Sequence, residues 1–313
     1  MKNGKTRYLR QYDTSLKRFD LPGYLAERRQ IVDNALDIYL PMDDTGSNRL
    51  QEAMRYSIFC GGKRLRPVLT LAAVDAIGGN ITQVLPLACA IECIHTFSLI
   101  HDDLPAIDND DFRRGAPTNH AIYGEAMAIL AGDALLALAF ELIGLCRLFH
   151  PAERALDALT MIASASGTRG MVGGQVEDIQ CEGRDDIDEK TVASIHARKT
   201  GALLTASLLA GARLCEAPID KEEALRLYGA KIGLAFQITD DILDLEGEYE
   251  KLGKQIGSDL RQDKATYPKA LGIDLSRAIA RQAAEDAVEA IRDFDARATP
   301  LRALAWYMVE RDC

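Results

Sequence analysis

Residues 97–118 read Phe-Ser-Leu-Ile-His-Asp-Asp-Leu-Pro-Ala-Ile-Asp-Asn-Asp-Asp-Phe-Arg-Arg-Gly-Ala-Pro-Thr. An apolar run with helical spacing, Leu87 to Ile100, ends abruptly here in five carboxylates, Asp102, Asp103, Asp108, Asp110 and Asp111. Arg113 and Arg114 follow at once. An acidic turn between two helices is ordinarily solvated, but carboxylates delivered by so apolar a helix point to the mouth of a cavity. Hard divalent cations take oxygen ligands, and Mg²⁺ is usually held by one or two carboxylates together with substrate phosphates. Arginines beside such a cluster suit the phosphate oxygens that the metal leaves uncovered. The stretch therefore reads as a metal–phosphate site.

Spacing sharpens this. His95, Ser98 and Asp102 fall at i, i+3 and i+7, on one helix face, so His95 is a candidate substrate contact as well as an ordinary core histidine. Asp102 and Asp108 are six residues apart, which a regular helix would put on different faces. Pro105 is expected to break the helix so that Asp108 returns toward Asp102.

A second acidic cluster lies far downstream in Phe236-Gln237-Ile238-Thr239-Asp240-Asp241-Ile242-Leu243-Asp244. Gln237, Asp240, Asp241 and Asp244 share one face at i, i+3, i+4 and i+7. Like charges at that spacing are locally unfavourable, and a cation would relieve them. Cations are grouped as well. Gly61-Gly62-Lys63-Arg64-Leu65-Arg66-Pro67 sets basic residues and flexible glycines at a helix start, where anions are favoured. Lys199-Thr200-Gly201 lies within a helix that the glycine can kink, and Lys254 and Lys264 flank a glycine/aspartate loop. Two acidic clusters with several separate basic groups imply two anionic substrates, one of them held through metals.

The chain has 313 residues and a formal charge of −10, which argues against nucleic acid as a partner, since phosphate backbones are held by clustered lysines and arginines. Its seven cysteines form no CxxC pair, the pattern of a reducing compartment rather than of a disulfide framework or zinc site. Met1 to Asp20 has no apolar core for a signal peptide, and no apolar run is expected to reach a membrane span. The expected location is cytoplasmic.

Helical periodicity dominates, without the sustained alternation of half-buried strands. Helices are expected over Tyr24–Leu40, from Asn48 to the Gly61-Gly62 break, from Pro67 to Gly78-Gly79, and over Leu87–His101, Gly124–Leu148, Glu153–Ala165, Gly170–Cys181, Asp188–Leu214, Lys221–Leu245, Ser276–Phe294 and Leu301–Glu310. The Leu87 and Gly124 segments are apolar nearly all round, as central buried helices are. With no repeat or composition break, one all-α domain over residues 1–313 is expected, residues 1–23 forming an N-terminal arm.

Taken together, GGKRLRP (61–67), DDLPAIDNDDFRRG (102–115), LAGDALL (130–136), GGQVED (173–178), RKTGAL (198–203), FQITDDILD (236–244), GKQIGSD (253–259) and KATYP (264–268) resemble the short-chain trans-polyprenyl diphosphate synthase family. The resemblance runs from Gly61 to Pro268. It implies an all-α, isoprenoid-synthase-type helical bundle around a deep central cavity, working as a homodimer. By motif, Asp102 and Asp108 would bind two of three Mg²⁺ ions, with Asp103 assisting, and Asp240 the third, with Asp244 close by; Mn²⁺ could substitute. Arg113, Lys199, Gln237 and Lys254 would bind the allylic diphosphate, and Lys264 would close over it. Lys63, Arg66, His95 and Arg114 would hold isopentenyl diphosphate. Gln175 and Asp178 match a polar pair near the metal waters, and backbone and hydroxyl oxygens near Lys199 and Thr200 would stabilise an allylic cation.

Phe97, with Ser98 beside it, is the candidate for setting product length. It stands roughly 7.5 Å before Asp102 at 1.5 Å rise per residue. An aromatic there resembles bacterial-type farnesyl diphosphate synthases, so a C15 product is expected, with C20 as the alternative. A terpene cyclase or head-to-head synthase is disfavoured by the GGKRLRP and Arg114 matches. A non-catalytic subunit of a heteromeric synthase is disfavoured by the intact carboxylates of both clusters.

Overall fold

The computed structural model describes residues 16–40, 42, 49–184, 186–246 and 264–311. The apolar run before the first acidic cluster is α4, Leu85–Asp102, with Pro86 in its first turn, where proline's missing N–H leaves no hydrogen bond unmade. From Leu87 to Ile94 every residue of α4 is buried. Around it run α1 (Leu21–Tyr39), α2 (Arg49–Phe59) and α3 (Leu65–Ile77) before it, with α5 (Asn119–Tyr123), α6 (Glu125–Leu145), α7 (Ala152–Ser166) and α8 (Met171–Cys181) after it. Next come α9 (Glu189–His196), α10 (Ala202–Leu214) and α11 (Ile219–Glu246), then α12 (Tyr267–Leu271), α13 (Ile273–Ala290) and α14 (Thr299–Glu310). The fold is all-α. A two-residue antiparallel pair, β1 (Phe112–Arg113) with β2 (Ala116–Pro117), is the only sheet among the described residues.

Local chemistry sets the helix ends. Asp20 caps α1 by accepting the Gly23 N–H at 3.0 Å, satisfying one of the donors a helix start leaves over. Gly78 closes α3 in the left-handed region, φ 80°, where a residue without Cβ is favoured.

Packing makes α10 the shared wall of two apolar clusters. Leu203, Ala206, Ala210 and Leu214 join the cluster built on α4 and α6. Leu204, Leu208 and Ala212 face the opposite way, into the cluster of α3, α11, α13 and α14. A third, smaller cluster joins Val192 and Ile195 of α9 to Ile238 and Ile242 of α11 and to Tyr267. Tyr228 is fully buried in the second cluster, and its hydroxyl donates to the Leu301 carbonyl at 2.7 Å. Replacing Tyr228 by Phe removes this buried hydrogen bond, while the Leu301 carbonyl keeps its place in the α14 ladder. The expected cost is about 1–2 kcal/mol, read as a lower midpoint in urea unfolding with unchanged slope.

Two expectations are corrected. The span 188–214 is not one regular helix: a π-turn at Ala197–Gly201 separates α9 from α10. The Gly124–Leu148 segment is not buried all round, since Ile129 and Leu130 of α6 are 43% and 54% exposed. Two helical stretches, Ile81–Asp102 and Glu125–Leu148, are long and apolar enough to cross a membrane by length and composition. In the first, 72% of the apolar window is buried inside the protein, against 39% in the second.

Candidate active site

The acidic turn begins where α4 ends. Asp108 donates its backbone N–H to the Asp102 carbonyl at 2.8 Å, and Asp110 to that of Asp103 at 3.2 Å. Asn109 takes the left-handed conformation, φ 54°, which asparagine tolerates better than most residues. The reversal expected at Pro105 thus brings Asp108 back beside Asp102, and both line a cavity of about 200 Å³. Burial above all pushes the Asp102 carboxyl up; Lys199 pulls it down, and Asp108 adds to the rise. Asp103 faces elsewhere. It is 4% exposed and accepts from Arg113 Nε at 2.6 Å, and burial lifts it to about 6 against the pull of that guanidinium. Its carboxylate is absent from the cavity lining shared by Asp102, Asp108, Arg113 and Asp240.

Across the cavity, α11 supplies Gln237, Asp240 and Asp241. Asp240 accepts from Arg311 Nη2 at 2.6 Å, and the Arg311 guanidinium lies 4.0 Å from the centroid of the Phe236 ring. Thr200 Oγ1 donates to Gln237 Oε1 at 2.8 Å, and Gln237 Nε2 donates to Asp241 Oδ1 at 3.1 Å. The other Asp241 oxygen accepts the Tyr267 backbone N–H at 3.0 Å and lies 3.6 Å from His196 Nε2. Burial drives His196 down to about 3, so this imidazole is neutral. Asp241 therefore ties the amide of Gln237 to the start of α12. Sequence reading gave no role to Asp241 beyond its place on the acidic face, or to His196. Asp244 is buried and outside the cavity lining.

Lys199 reaches the cavity from the π-turn, Thr200 beside it meets the lining residue Gln237, and neighbouring helices close on the turn at two glycines. A Cβ on Gly174 of α8 would lie 2.3 Å from the Lys199 backbone nitrogen, and one on Gly233 of α11 would lie 2.9 Å from Gly201 Cα. Lys199 Nζ donates to Asp178 Oδ2 at 2.6 Å. Burial pulls its ammonium down, yet Asp178 and Asp102 hold it above the usual value. Gln175 is near Asp178 in sequence, and its Oε1 is buried without a hydrogen-bond partner. Lys264 Nζ lies 3.4 Å from both Asp108 oxygens. Lys254 lies outside the described residues.

The other basic residues form a separate group. Burial pushes the Arg66 guanidinium down to about 10, and its Nε is buried without a partner. Burial, reinforced by Arg66 and Arg114, drives His95 well below the ordinary imidazole range, leaving it neutral toward an anion. Arg114 Nη1 donates to the Gly61 carbonyl at 2.9 Å. Lys63 is exposed, its ammonium 5.9 Å from the Tyr307 ring centroid. Phe97 is 6% exposed in the α4–α6 core, edge-on to His101 at 5.6 Å. Ser98 Oγ donates back to the His95 carbonyl at 2.9 Å.

Among the described residues no three histidine, cysteine or acidic side chains are grouped to hold one metal ion. The donor set still fits a hard cation that shares its coordination with phosphate and water. Asp102, Asp108 and Asp240 offer only oxygen to a cavity that is also lined by Arg113, Lys199 and Lys264, and Mg²⁺-like ions take one or two carboxylates in such sites. The orphaned Nε of Arg66 fits an anion in the second group.

Comparison with known proteins supports the same assignment. The polyprenyl synthetase family model matches residues 47–300. The chain is 48% identical over 294 residues to a geranylgeranyl diphosphate synthase of Cyanophora paradoxa, covering 94% of this chain and 97% of that one. It is 47% identical over 259 residues to a farnesyl diphosphate synthase of Bacillus subtilis (strain 168), covering 81% and 86%. The crystal structure of a polyprenyl synthase from Caulobacter crescentus CB15, complexed with calcium and isoprenyl diphosphate, matches with a TM-score of 0.83 at 30% identity over 94% of this chain and 97% of that one.

Proposed function

The chain belongs to the polyprenyl synthetase family, and on that premise we propose that it makes farnesyl diphosphate. It is a short-chain prenyltransferase of the head-to-tail type. In the proposed reaction isopentenyl diphosphate condenses with dimethylallyl and then geranyl diphosphate, releasing pyrophosphate at each step. The observation that carries this reading is the pairing of Asp102 and Asp108 with Asp240 across one cavity, beside a separate half-buried group of Arg66, His95 and Arg114.

Asp102, Asp108 and Asp240 would hold Mg²⁺, or Mn²⁺ in its place, with Asp103 acting through Arg113 and Asp244 from behind the lining. Bound there, the metal supplies Lewis-acid neutralisation of the departing diphosphate. Arg113, Lys199, Lys264 and Lys254 bind the allylic diphosphate, Lys199 exchanging its Asp178 partner for phosphate oxygen. Gln175 and Asp178 order water beside it. Thr200 and Gln237 set oxygen dipoles, preorganised by Asp241, toward the allylic cation as charge develops. Lys63, Arg66, His95 and Arg114 hold isopentenyl diphosphate so that its double bond meets that cation. The proton then lost passes to the released pyrophosphate, so no side-chain base is required. The segment carrying Lys264 excludes water from the cation.

Product length is assigned to Phe97. A chain growing along α4 from Asp102 toward the helix start meets its ring, which is buried against His101. The C20 reading is favoured by several relatives that are geranylgeranyl synthases. Labelled isopentenyl diphosphate offered with dimethylallyl, geranyl or farnesyl diphosphate separates the two once the dephosphorylated products are sized. Accumulation of C15, with farnesyl diphosphate not extended, is expected; efficient extension to C20 overturns it. Phe97→Ala is expected to lengthen the main product, and an unchanged distribution would move the floor elsewhere.

We further assign the chain to one domain that pairs as a homodimer through the exposed apolar face of α6, Ile129 and Leu130 included. A cytoplasmic location suits the free cysteines, among them the buried Cys89, Cys93 and Cys146.

A further inference from the structure

In sequence Arg64 belongs to the same basic run as Lys63 and Arg66, yet its guanidinium turns into the protein. Its backbone is left-handed, φ 51°, and its side chain is 1% exposed, as is that of Glu92 in α4, to which Nη1 donates at 2.9 Å. Nε donates to Asp33 of α1 at 2.7 Å, Nη2 to the Ile58 carbonyl of α2 at 2.6 Å, and Nη1 to the Gly61 carbonyl at 3.2 Å. One fork thus joins three helices to the glycine turn. That turn is the seat of Arg114. The Gly61 carbonyl also accepts from Arg114 Nη1 at 2.9 Å, and a Cβ on Gly62 would come 2.6 Å from the same nitrogen.

We infer that Arg64 and Glu92 are a positioning pair: they fix the Gly61–Gly62 turn, and through it the Arg114 guanidinium that meets isopentenyl diphosphate. The inference rests on the function proposed above. A buried ion pair adds little to stability once its desolvation is counted, so placement of the turn is the stronger reason for it. Lysine cannot replace Arg64, because a single ammonium does not reproduce a planar fork aimed at separate acceptors. Arg64 itself touches no substrate.

Steady-state kinetics with isopentenyl diphosphate varied test this on Arg64→Lys and on Glu92→Gln, a milder loosening of the same fork. Arg64→Lys is expected to raise KM for isopentenyl diphosphate about tenfold, with kcat and KM for geranyl diphosphate within about twofold. In an Arg114→Lys background the same change should add less than about twofold, because its effect runs through Arg114. An equal factor in both backgrounds, or a fall in kcat with both KM values unchanged, overturns the inference. If circular dichroism shows Arg64→Lys unfolded, Glu92→Gln carries the same comparison. Amide hydrogen exchange provides a readout independent of activity. Loosening the fork is expected to speed exchange in residues 59–66 and 112–118 together, and acceleration confined to 59–66 overturns the inference. A wild-type protein that consumes no isopentenyl diphosphate would sink the proposed function, while the exchange experiment would still decide the Arg64–Glu92 coupling.

Discussion

Asp102→Asn is expected to lower kcat roughly a thousandfold, about 4 kcal/mol of transition-state stabilisation at 1.36 kcal/mol per tenfold. Amide and carboxylate have nearly the same shape, so the change removes charge and little else. Asp102 is where that charge matters most. It ends α4, carries Asp108 on its carbonyl, and faces Lys199, Arg113 and Lys264 across the cavity. Without it those cations lose a shared counter-charge, and a hard cation loses a ligand on the α4 side. Asp103→Asn is the contrast, because Asp103 spends its charge on Arg113 at 2.6 Å rather than on the cavity. Its effect is expected to be about tenfold and mostly in KM for the allylic diphosphate, through a loosened Arg113. Single-turnover rates and Mg²⁺ titrations of both variants check this. An Asp102→Asn enzyme within about tenfold of wild type would remove Asp102 from the reacting centre.

Gly174→Ala is expected to cost about 3 kcal/mol of stability and to lower kcat in whatever remains folded. The added methyl group would sit 2.3 Å from the Lys199 nitrogen and 2.7 Å from its Cα. Those are backbone atoms, with no flexible end to swing aside. Either α8 withdraws or the π-turn shifts, and Lys199 and Thr200 move with it. Gly183→Ala, with nothing within 4 Å of the new Cβ but φ at +69°, separates backbone strain from collision. It should cost only about 1 kcal/mol and leave kcat alone. Thermal unfolding and kcat measured on both variants decide the matter; equal losses would mean that the Gly174 contact is of no consequence.

The sequence carried much of this because its strongest signals are local. The apolar stretch before Asp102 announced α4, Pro105 announced the reversal to Asp108, and Gly78 announced the end of α3. Contacts between distant segments were invisible. Nothing in an acidic helix face reveals that Asp241 spends an oxygen on Tyr267, 26 residues away, or that Arg64 in a basic run is buried against Glu92, 28 residues on. The same blindness put Asp103 with Asp102, since adjacent carboxylates look alike until Arg113 is seen to claim one. It also made α6 look buried all round, because an apolar helix reads alike whether its last face meets core or solvent. The Gly173-Gly174 pair was present as motif letters and Gly233 lay outside every motif, and the use of Gly174 and Gly233 as contact points required knowing which helices cross there.

The π-turn at Ala197–Gly201 also resets angular phase. In an α-helix each residue advances about 100°, so one residue too many in a turn rotates everything beyond it relative to everything before. The turn itself is thereby free to aim Lys199 into the cavity. The segment downstream keeps a separate phase, in which Leu203 and Leu204 each find a different hydrophobic cluster. Chemistry and packing are decoupled along one continuous rod. Side chains on either side of Gly201 can then be exchanged without forcing a compromise on the other.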